Sequence, residues 1–93
     1  MNDRNLNINT EDSAKAIRFL IENSIDNPTE EKIKDIIETT NKGEITAMYK
    51  RFKKKTNSSV MDNIMMNNLR DIINTPDFVF EKLLMILKEE YKT

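Results

Sequence analysis

Residues 75–91 read TPDFVFEKLLMILKEEY and form the longest segment of the chain with apolar residues at helical spacing. Pro76 suits the first turn of a helix. One stripe is predicted to face the core, and its members are Phe80, Leu83, Leu84, Leu87 and Tyr91. Other apolar residues fall outside that stripe, namely Phe78, Val79, Met85 and Ile86. A helix that is apolar nearly all round is either buried centrally or shared with a partner.

Four earlier segments show the same helical spacing, at about 11–24, 28–42, 44–55 and 60–74. No alternating pattern typical of β-strands is found. The predicted core residues of these segments are Ala14, Ala16, Ile17, Phe19, Leu20, Ile21, Ile33, Ile36, Ile37, Ile45, Met48, Tyr49, Phe52, Met61, Ile64, Met65, Leu69 and Ile72. We therefore predict an all-α fold, a small compact bundle of four to five helices joined by short loops. It forms one domain at 10–93, after a flexible tail at 1–9.

The second helix has the clearest predicted ends. Asn27 is the expected N-cap, Pro28 occupies the first helical position, and Glu30 completes the spacing of a capping box. Gly43 is the only glycine of the chain. It is expected to end this helix in the left-handed conformation, which costs glycine least.

The composition removes the usual means of catalysis. The chain has no Cys and no His, so it lacks a thiolate nucleophile and a base that titrates near neutral pH. Zinc sites need those residue types, and a lone glycine cannot form a phosphate-binding loop. The adjacent acids Glu30-Glu31 and Glu89-Glu90 point about 100° apart on a helix and do not converge. We therefore predict no enzymatic activity, cofactor, metal or small-molecule substrate.

Charge and hydropathy bear on location. The net charge is −1, so the 93-residue chain as a whole is not typical of a nucleic-acid or membrane binder. Its start is polar to about Thr10, and no apolar run could span a bilayer, which predicts neither a secretion signal nor a membrane partner. The absence of Cys fits a reducing compartment, and we expect a cytoplasmic protein. The excess of Asn, Ile and Lys is common in AT-rich genomes and suggests a phage, a virus, a low-GC bacterium or a protist as its source.

A basic segment at 42–55 is the sharpest local feature, with six positive charges and one negative charge. The candidate residues for contact with nucleic acid or an acidic partner are Lys50, Arg51, Lys53, Lys54 and Lys55. With Gly43 as the turn, the second and third helices would form a helix-turn-helix. Tyr49 and Phe52 lie on the core stripe, however, and are not expected to stack on bases. The simpler interpretation is a solvated helix end whose cations offset the helix dipole.

Surplus apolar residues predict an interface. Met side chains are common on adaptable binding surfaces, and an exposed apolar patch marks an interaction site. The candidate interface residues are Met66, Phe78, Val79, Met85 and Ile86. We therefore predict a non-enzymatic protein-interaction module, a small regulator or inhibitor. Its partner is another protein or a second copy paired through the fifth helix. The alternative is a small nucleic-acid-binding protein that uses residues 50–55.

Overall fold

A computed structural model describes residues 10–55 and 64–91. Within them the chain forms five α-helices and no β-strand, which confirms the predicted all-α bundle. The helices are α1 (Thr10–Glu22), α2 (Glu30–Thr39), α3 (Lys42–Lys55), α4 (Ile64–Ile73) and α5 (Asp77–Glu90). The tail predicted at 1–9 and the predicted start of the fourth helix at 60–63 lie outside the described residues.

α1 lies at the centre of the bundle and contacts each of the other four helices. Ala16, Ile17, Leu20 and Ile21 are completely buried. Their spacing places them on one wide face of the helix, because residues three and four apart lie one above the other. The most extensive contact of α1 is with α4, while α2, α3 and α5 pack around its other sides.

The buried side chains of all five helices meet in one core. In α1, α2, α3 and α5, every residue predicted to face the core is buried or half-buried. The largest fully buried side chains are Phe80, Ile17, Leu20, Ile21, Ile33, Ile37, Ile45, Met66, Leu69, Ile72, Leu84 and Leu87. Helical spacing alone therefore identified the core faces of these four helices.

The core face of α4 differs from the prediction. Met66, which was predicted to lie off the core stripe, is buried together with Leu69 and Ile72, and Met65 is half-buried against the core as predicted. The buried face therefore extends to Met66, on the side of α4 next to Leu69. Predicted core residue Met61 lies outside the described residues. The face that α4 buries is set by α1 and α3, the helices against which it packs.

The start of α2 lies two residues beyond the predicted one. Asn27 has a positive φ of 50° and does not act as the N-cap. The cap is Thr29, whose Oγ1 accepts a hydrogen bond from the backbone N–H of Lys32 at 3.2 Å. Threonine is a good N-cap, and asparagine tolerates the left-handed conformation better than most residues. The chain therefore turns at Asn27 and enters the helix after Pro28.

Gly43 does not end α2, so that prediction is wrong. α2 stops at Thr39, Thr40 is extended, and Gly43 lies in the first turn of α3 with no positive φ. The side-chain Oδ1 of Asn41 accepts a hydrogen bond from the Glu44 N–H at 2.9 Å, which is N-cap geometry. A Cβ on residue 43 would lie 3.3 Å from that oxygen. Glycine therefore leaves room for the cap instead of supplying a left-handed turn.

Candidate functional site

The outer face of α5 carries three exposed apolar side chains, Phe78, Met85 and Ile86, which we name the α5 apolar surface. Their exposed fractions are 62% for Phe78, 63% for Met85 and 41% for Ile86. Phe78 and Met85 are seven residues apart, so they lie almost in line along the helix, and Ile86 lies about 90° to one side of that line. Large apolar side chains exposed together on one helix face are typical of an interaction surface.

The remaining two residues of the predicted interface are not on this surface. Val79 is 5% exposed and Met66 is 1% exposed. Met66 belongs to the core cluster, and Val79 is buried at the side of α5, outside that cluster. Neither side chain is available to a partner, so the predicted interface is corrected to the three residues of the α5 apolar surface.

The opposite face of α5 explains why this surface is left uncovered. Phe80, Leu83, Leu84 and Leu87 are buried there, where α5 packs against α1, α2 and α3. The helices that contact α5 extensively therefore cover these four side chains, and Phe78, Met85 and Ile86 remain exposed. The helix thus has two apolar faces, of which the bundle covers one.

Charged side chains flank the α5 apolar surface. Glu81 and Lys82 are both exposed and lie between Phe78 and Met85. With 100° per residue, Glu81 lies about 50° to one side of the Phe78–Met85 line and Lys82 about 50° to the other. Neither residue was predicted from the sequence, although each lies three or four positions from Phe78, a spacing that places it on the same side of the helix.

A groove between α2 and α5 extends this surface. It has a volume of about 250 Å³ and is lined by Glu38, Met85, Lys88 and Glu89. Met85 therefore belongs both to the α5 apolar surface and to the groove wall. The groove adds polar and charged groups at the edge of an apolar patch, an arrangement found at protein interfaces.

Lys42 fixes the beginning of α5 to the beginning of α3. Its Nζ donates to the Thr75 carbonyl oxygen at 2.6 Å and to Asp77 Oδ1 at 3.0 Å. The same Nζ lies 6.0 Å from the centre of the Phe80 ring, within range of a cation–π interaction. Thr75 itself is buried, and its hydroxyl donates to the Ile72 carbonyl at 2.7 Å. The α4–α5 turn that positions Phe78 is therefore held from both sides.

Arg18 fixes the end of α5 to α1 and α2. Its guanidinium lies 5.6 Å from the centre of the Tyr91 ring, pairs with Glu22 at 3.3 Å and also pairs with Glu30. Burial lowers the pKa of Arg18, but Tyr91, Glu22 and Glu30 raise it by more, so the net shift is upward. This side chain therefore stays charged and links three helices.

Tyr91 lines a second groove, between α1 and α5, of about 240 Å³. Burial raises the pKa of the Tyr91 phenol above its ordinary value of 10.0; Arg18 opposes this shift, and Glu30, Glu22 and Glu90 add to it. The hydroxyl groups of Tyr91 and Tyr49 are buried and have no hydrogen-bond partner among residues 10–55 and 64–91.

The five basic residues in the second half of α3 are all exposed, as their sequence pattern predicts for a solvated helix end; they are Lys50, Arg51, Lys53, Lys54 and Lys55. Together they span about 200° of the helix circumference, in the order Lys53, Lys50, Lys54, Arg51 and Lys55. Within the part of the chain that the structure describes, no acidic side chain pairs with Lys50, Arg51, Lys54 or Lys55. These four cations therefore remain available to anionic partners.

The aromatic residues of α3 are committed to packing. Tyr49 is 6% exposed, and Phe52 is half-buried against Phe19, with ring centres 5.7 Å apart in an edge-to-face arrangement at 80°. α2 packs mainly against α5 and α1 and makes little contact with α3. A helix-turn-helix needs the two helices to pack on each other, so α2 and α3 do not form one.

Comparison of the chain with protein-family models, curated proteins and solved structures finds no match. Within residues 10–55 and 64–91, no helix combines the length and the apolar character needed to cross a bilayer. Among the same residues, no three acidic side chains are grouped so that they could hold a metal ion. The function therefore has to be inferred from the surfaces described above.

Proposed function

We propose that this chain is a non-enzymatic protein-interaction module, a small regulator or inhibitor that docks its partner on the α5 apolar surface. The observation that carries the proposal is the exposure of Phe78 and Met85, both above 60%, on a helix whose opposite face is already buried. Water contact with such side chains is unfavourable by about 25 cal/mol per Å², and a partner would remove that contact. Binding, without a chemical step, is sufficient for this role.

The surroundings of the α5 apolar surface support docking. Charged residues surround the apolar residues, as in the polar rim of an interface, and the groove beside Met85 provides a concave edge. Lys42 and Arg18 hold the two ends of α5 in place. A surface held in place loses little conformational entropy on binding, which favours affinity.

A photocrosslinking experiment tests the proposal. Phe78 or Met85 is replaced by p-benzoylphenylalanine, and Glu44, which is exposed on α3, carries the same probe as a matched control. Irradiation in cells that produce the chain is expected to give discrete adducts from positions 78 and 85 but not from position 44. Equal labelling from all three positions, or none, would contradict a docking role for α5.

Nucleic-acid binding by α3 is a second candidate function, favoured by the four basic residues that have no acidic partner in the described part of the chain. Lys50, Lys54 and Arg51 share about 100° of the helix surface, which is narrow enough to follow a phosphate backbone. Such contacts would release counterions and depend steeply on salt. The buried aromatic residues argue against base stacking, so this binding would be independent of sequence.

Fluorescence anisotropy with a labelled DNA duplex and a labelled RNA, at low and at physiological salt, tests this second candidate. The triple variant Lys50→Ala/Arg51→Ala/Lys54→Ala should weaken binding and reduce the salt slope by about one unit per lost phosphate contact. The control variant Lys15→Ala/Lys32→Ala/Lys34→Ala removes the same charge from α1 and α2. Equal binding by the two variants would mean that the basic residues of α3 do not contact nucleic acid and serve only as a solvated helix end.

A further inference from the structure

The charges beside the α5 apolar surface are arranged so that they complement themselves. Glu81 and Lys82 lie on opposite sides of the Phe78–Met85 line, at almost the same height along α5. A two-fold axis parallel to α5 brings the left side of one helix opposite the right side of the other. It leaves the position of each residue along the helix unchanged. Such an axis would therefore place Glu81 of one copy opposite Lys82 of the other, twice in each pair.

We infer that the α5 apolar surface pairs with the same surface of a second copy of this chain, with the two α5 helices side by side and parallel. In this arrangement Phe78 meets Phe78, Met85 meets Met85, and two Glu81–Lys82 ion pairs close the sides. The contact is isologous, as expected for a two-fold dimer. The inference rests on the proposed function, because it uses the same surface.

The antiparallel alternative is disfavoured by the same charges. A two-fold axis perpendicular to α5 instead brings the left side of one helix opposite the left side of the other, and the right side opposite the right side. Glu81 would then face Glu81, and Lys82 would face Lys82. Like charges placed opposite each other suppress a pairing, so Glu81 and Lys82 select the parallel arrangement. Phe78 and Met85 supply the attraction, and the charged residues supply the orientation.

The size of the surface sets the expected strength of the dimer. Three exposed apolar side chains and a short groove cover less than the roughly 800 Å² per partner of a standard stable interface. Interfaces at the small end are weak and transient. We therefore expect a reversible monomer–dimer equilibrium at micromolar concentrations.

Sedimentation velocity on the purified chain, from low to high micromolar concentration, tests the pairing with a charge-exchange series. Glu81→Lys creates two Lys–Lys contacts in the dimer, and Lys82→Glu creates two Glu–Glu contacts. Each single variant should dimerise about tenfold more weakly. One exposed ion pair has only a modest free energy, but the two-fold axis repeats the pair, so each substitution changes two contacts. The double variant Glu81→Lys/Lys82→Glu has the same composition as the wild type and should dimerise like it. Circular dichroism checks that each variant is folded.

Mixing the two single variants provides a second measurement. Their heterodimer would place two lysines opposite two glutamates, so the mixture should associate more strongly than either variant alone. A wild-type dimer that is lost in Phe78→Ser but is unaffected by either charge reversal would overturn the parallel pairing. A dimer that is unaffected by Phe78→Ser as well would place the contact elsewhere and would also overturn it.

The failure of this inference differs from the failure of the proposed function. A wild-type chain that stays monomeric at high micromolar concentration overturns the pairing. If the photoprobe at position 78 still labels a different protein, the interaction function stands and the partner is not a second copy. If the probes at 78 and 85 label nothing beyond the control at 44, the function itself fails.

Discussion

α1 and α5 both pack against three or more other helices, but they use their apolar residues differently. α1 contacts all four other helices, and each of its apolar side chains is buried or half-buried. α5 is more apolar, with eight apolar residues between Phe78 and Leu87, yet three of them are exposed. The helix with more apolar residues is therefore the less completely covered one.

This difference shows that apolar content does not by itself decide burial. α1 contacts all four other helices, which together cover its apolar side chains. α5 buries one face against α1, α2 and α3, while Phe78, Met85 and Ile86 on its other side stay exposed, with only α2 bordering Met85 across a groove. Apolar residues beyond those a core can cover are a sign of a partner, because each costs free energy while it contacts water.

The largest expected effect on the free energy of unfolding is a difference between the buried and the exposed face of α5. Leu84 is completely buried and Met85, its neighbour in sequence, is 63% exposed. Leu84→Ala should lower the free energy of unfolding by about 2–5 kcal/mol, because it removes buried methyl groups and leaves a cavity. Met85→Ala should change it by less than about 0.5 kcal/mol. Urea unfolding followed by circular dichroism measures both.

Leu20→Ala on α1 sharpens this comparison. Leu20 is as deeply buried as Leu84, so the two substitutions should have similar costs although the helices differ in apolar content. A loss for Leu84→Ala no larger than that for Met85→Ala would mean that the core face of α5 has been assigned to the wrong side.

The next effect concerns how the start of α5 is held. Lys42→Met keeps the aliphatic part of the side chain but removes the hydrogen bonds to Thr75 and Asp77. The expected loss of unfolding free energy is about 1–2 kcal/mol, since a charged donor is lost but Asp77 is largely exposed to solvent. Lys50→Met, on the exposed side of α3, is the matched control. Equal losses would show that the Lys42 contacts do not stabilise the fold.

A smaller effect is expected where α1 meets the end of α5. Arg18→Met removes the ion pairs with Glu22 and Glu30 and the contact with Tyr91. Because the Arg18 side chain is 40% exposed, we expect a loss of only about 0.5–1 kcal/mol in urea unfolding. Lys15→Met on the same helix should cost less. A larger loss for Lys15→Met would contradict the linking role of Arg18.

The smallest effect is a pH dependence at Tyr91. Its raised pKa favours the neutral phenol in the folded chain. The stability contributed by Tyr91 should therefore be complete below the unfolded pKa of about 10 and be lost as the pH rises through the folded pKa. Phenolate absorbance in Tyr49→Phe, which leaves Tyr91 as the only tyrosine, measures the folded value. Adding Arg18→Met should raise it further, because Arg18 lowers it. A titration at the ordinary value would refute the burial of this phenol.

Much of the fold followed from the sequence, and less of the candidate site did. The core residues of α5 were predicted because helical spacing is a local property, and Phe78 and Met85 were correctly left outside that core. The ends of α2 were misplaced, since Thr29 and Asn41 compete with Asn27 and Gly43 as capping and turn residues. Sequence preferences at helix ends differ by only about 1 kcal/mol, so surrounding contacts decide between them.

The predicted interface also followed only in part from the sequence. Phe78, Val79, Met85 and Met66 were equivalent in the sequence, because each is apolar and lies off the main stripe of its helix. The sequence by itself determined that the chain is helical and that α5 carries more apolar residues than one face can hold. Only the tertiary structure decided that Val79 and Met66 are covered while Phe78 and Met85 are exposed. Periodicity belongs to a single helix, whereas coverage depends on where the other helices lie.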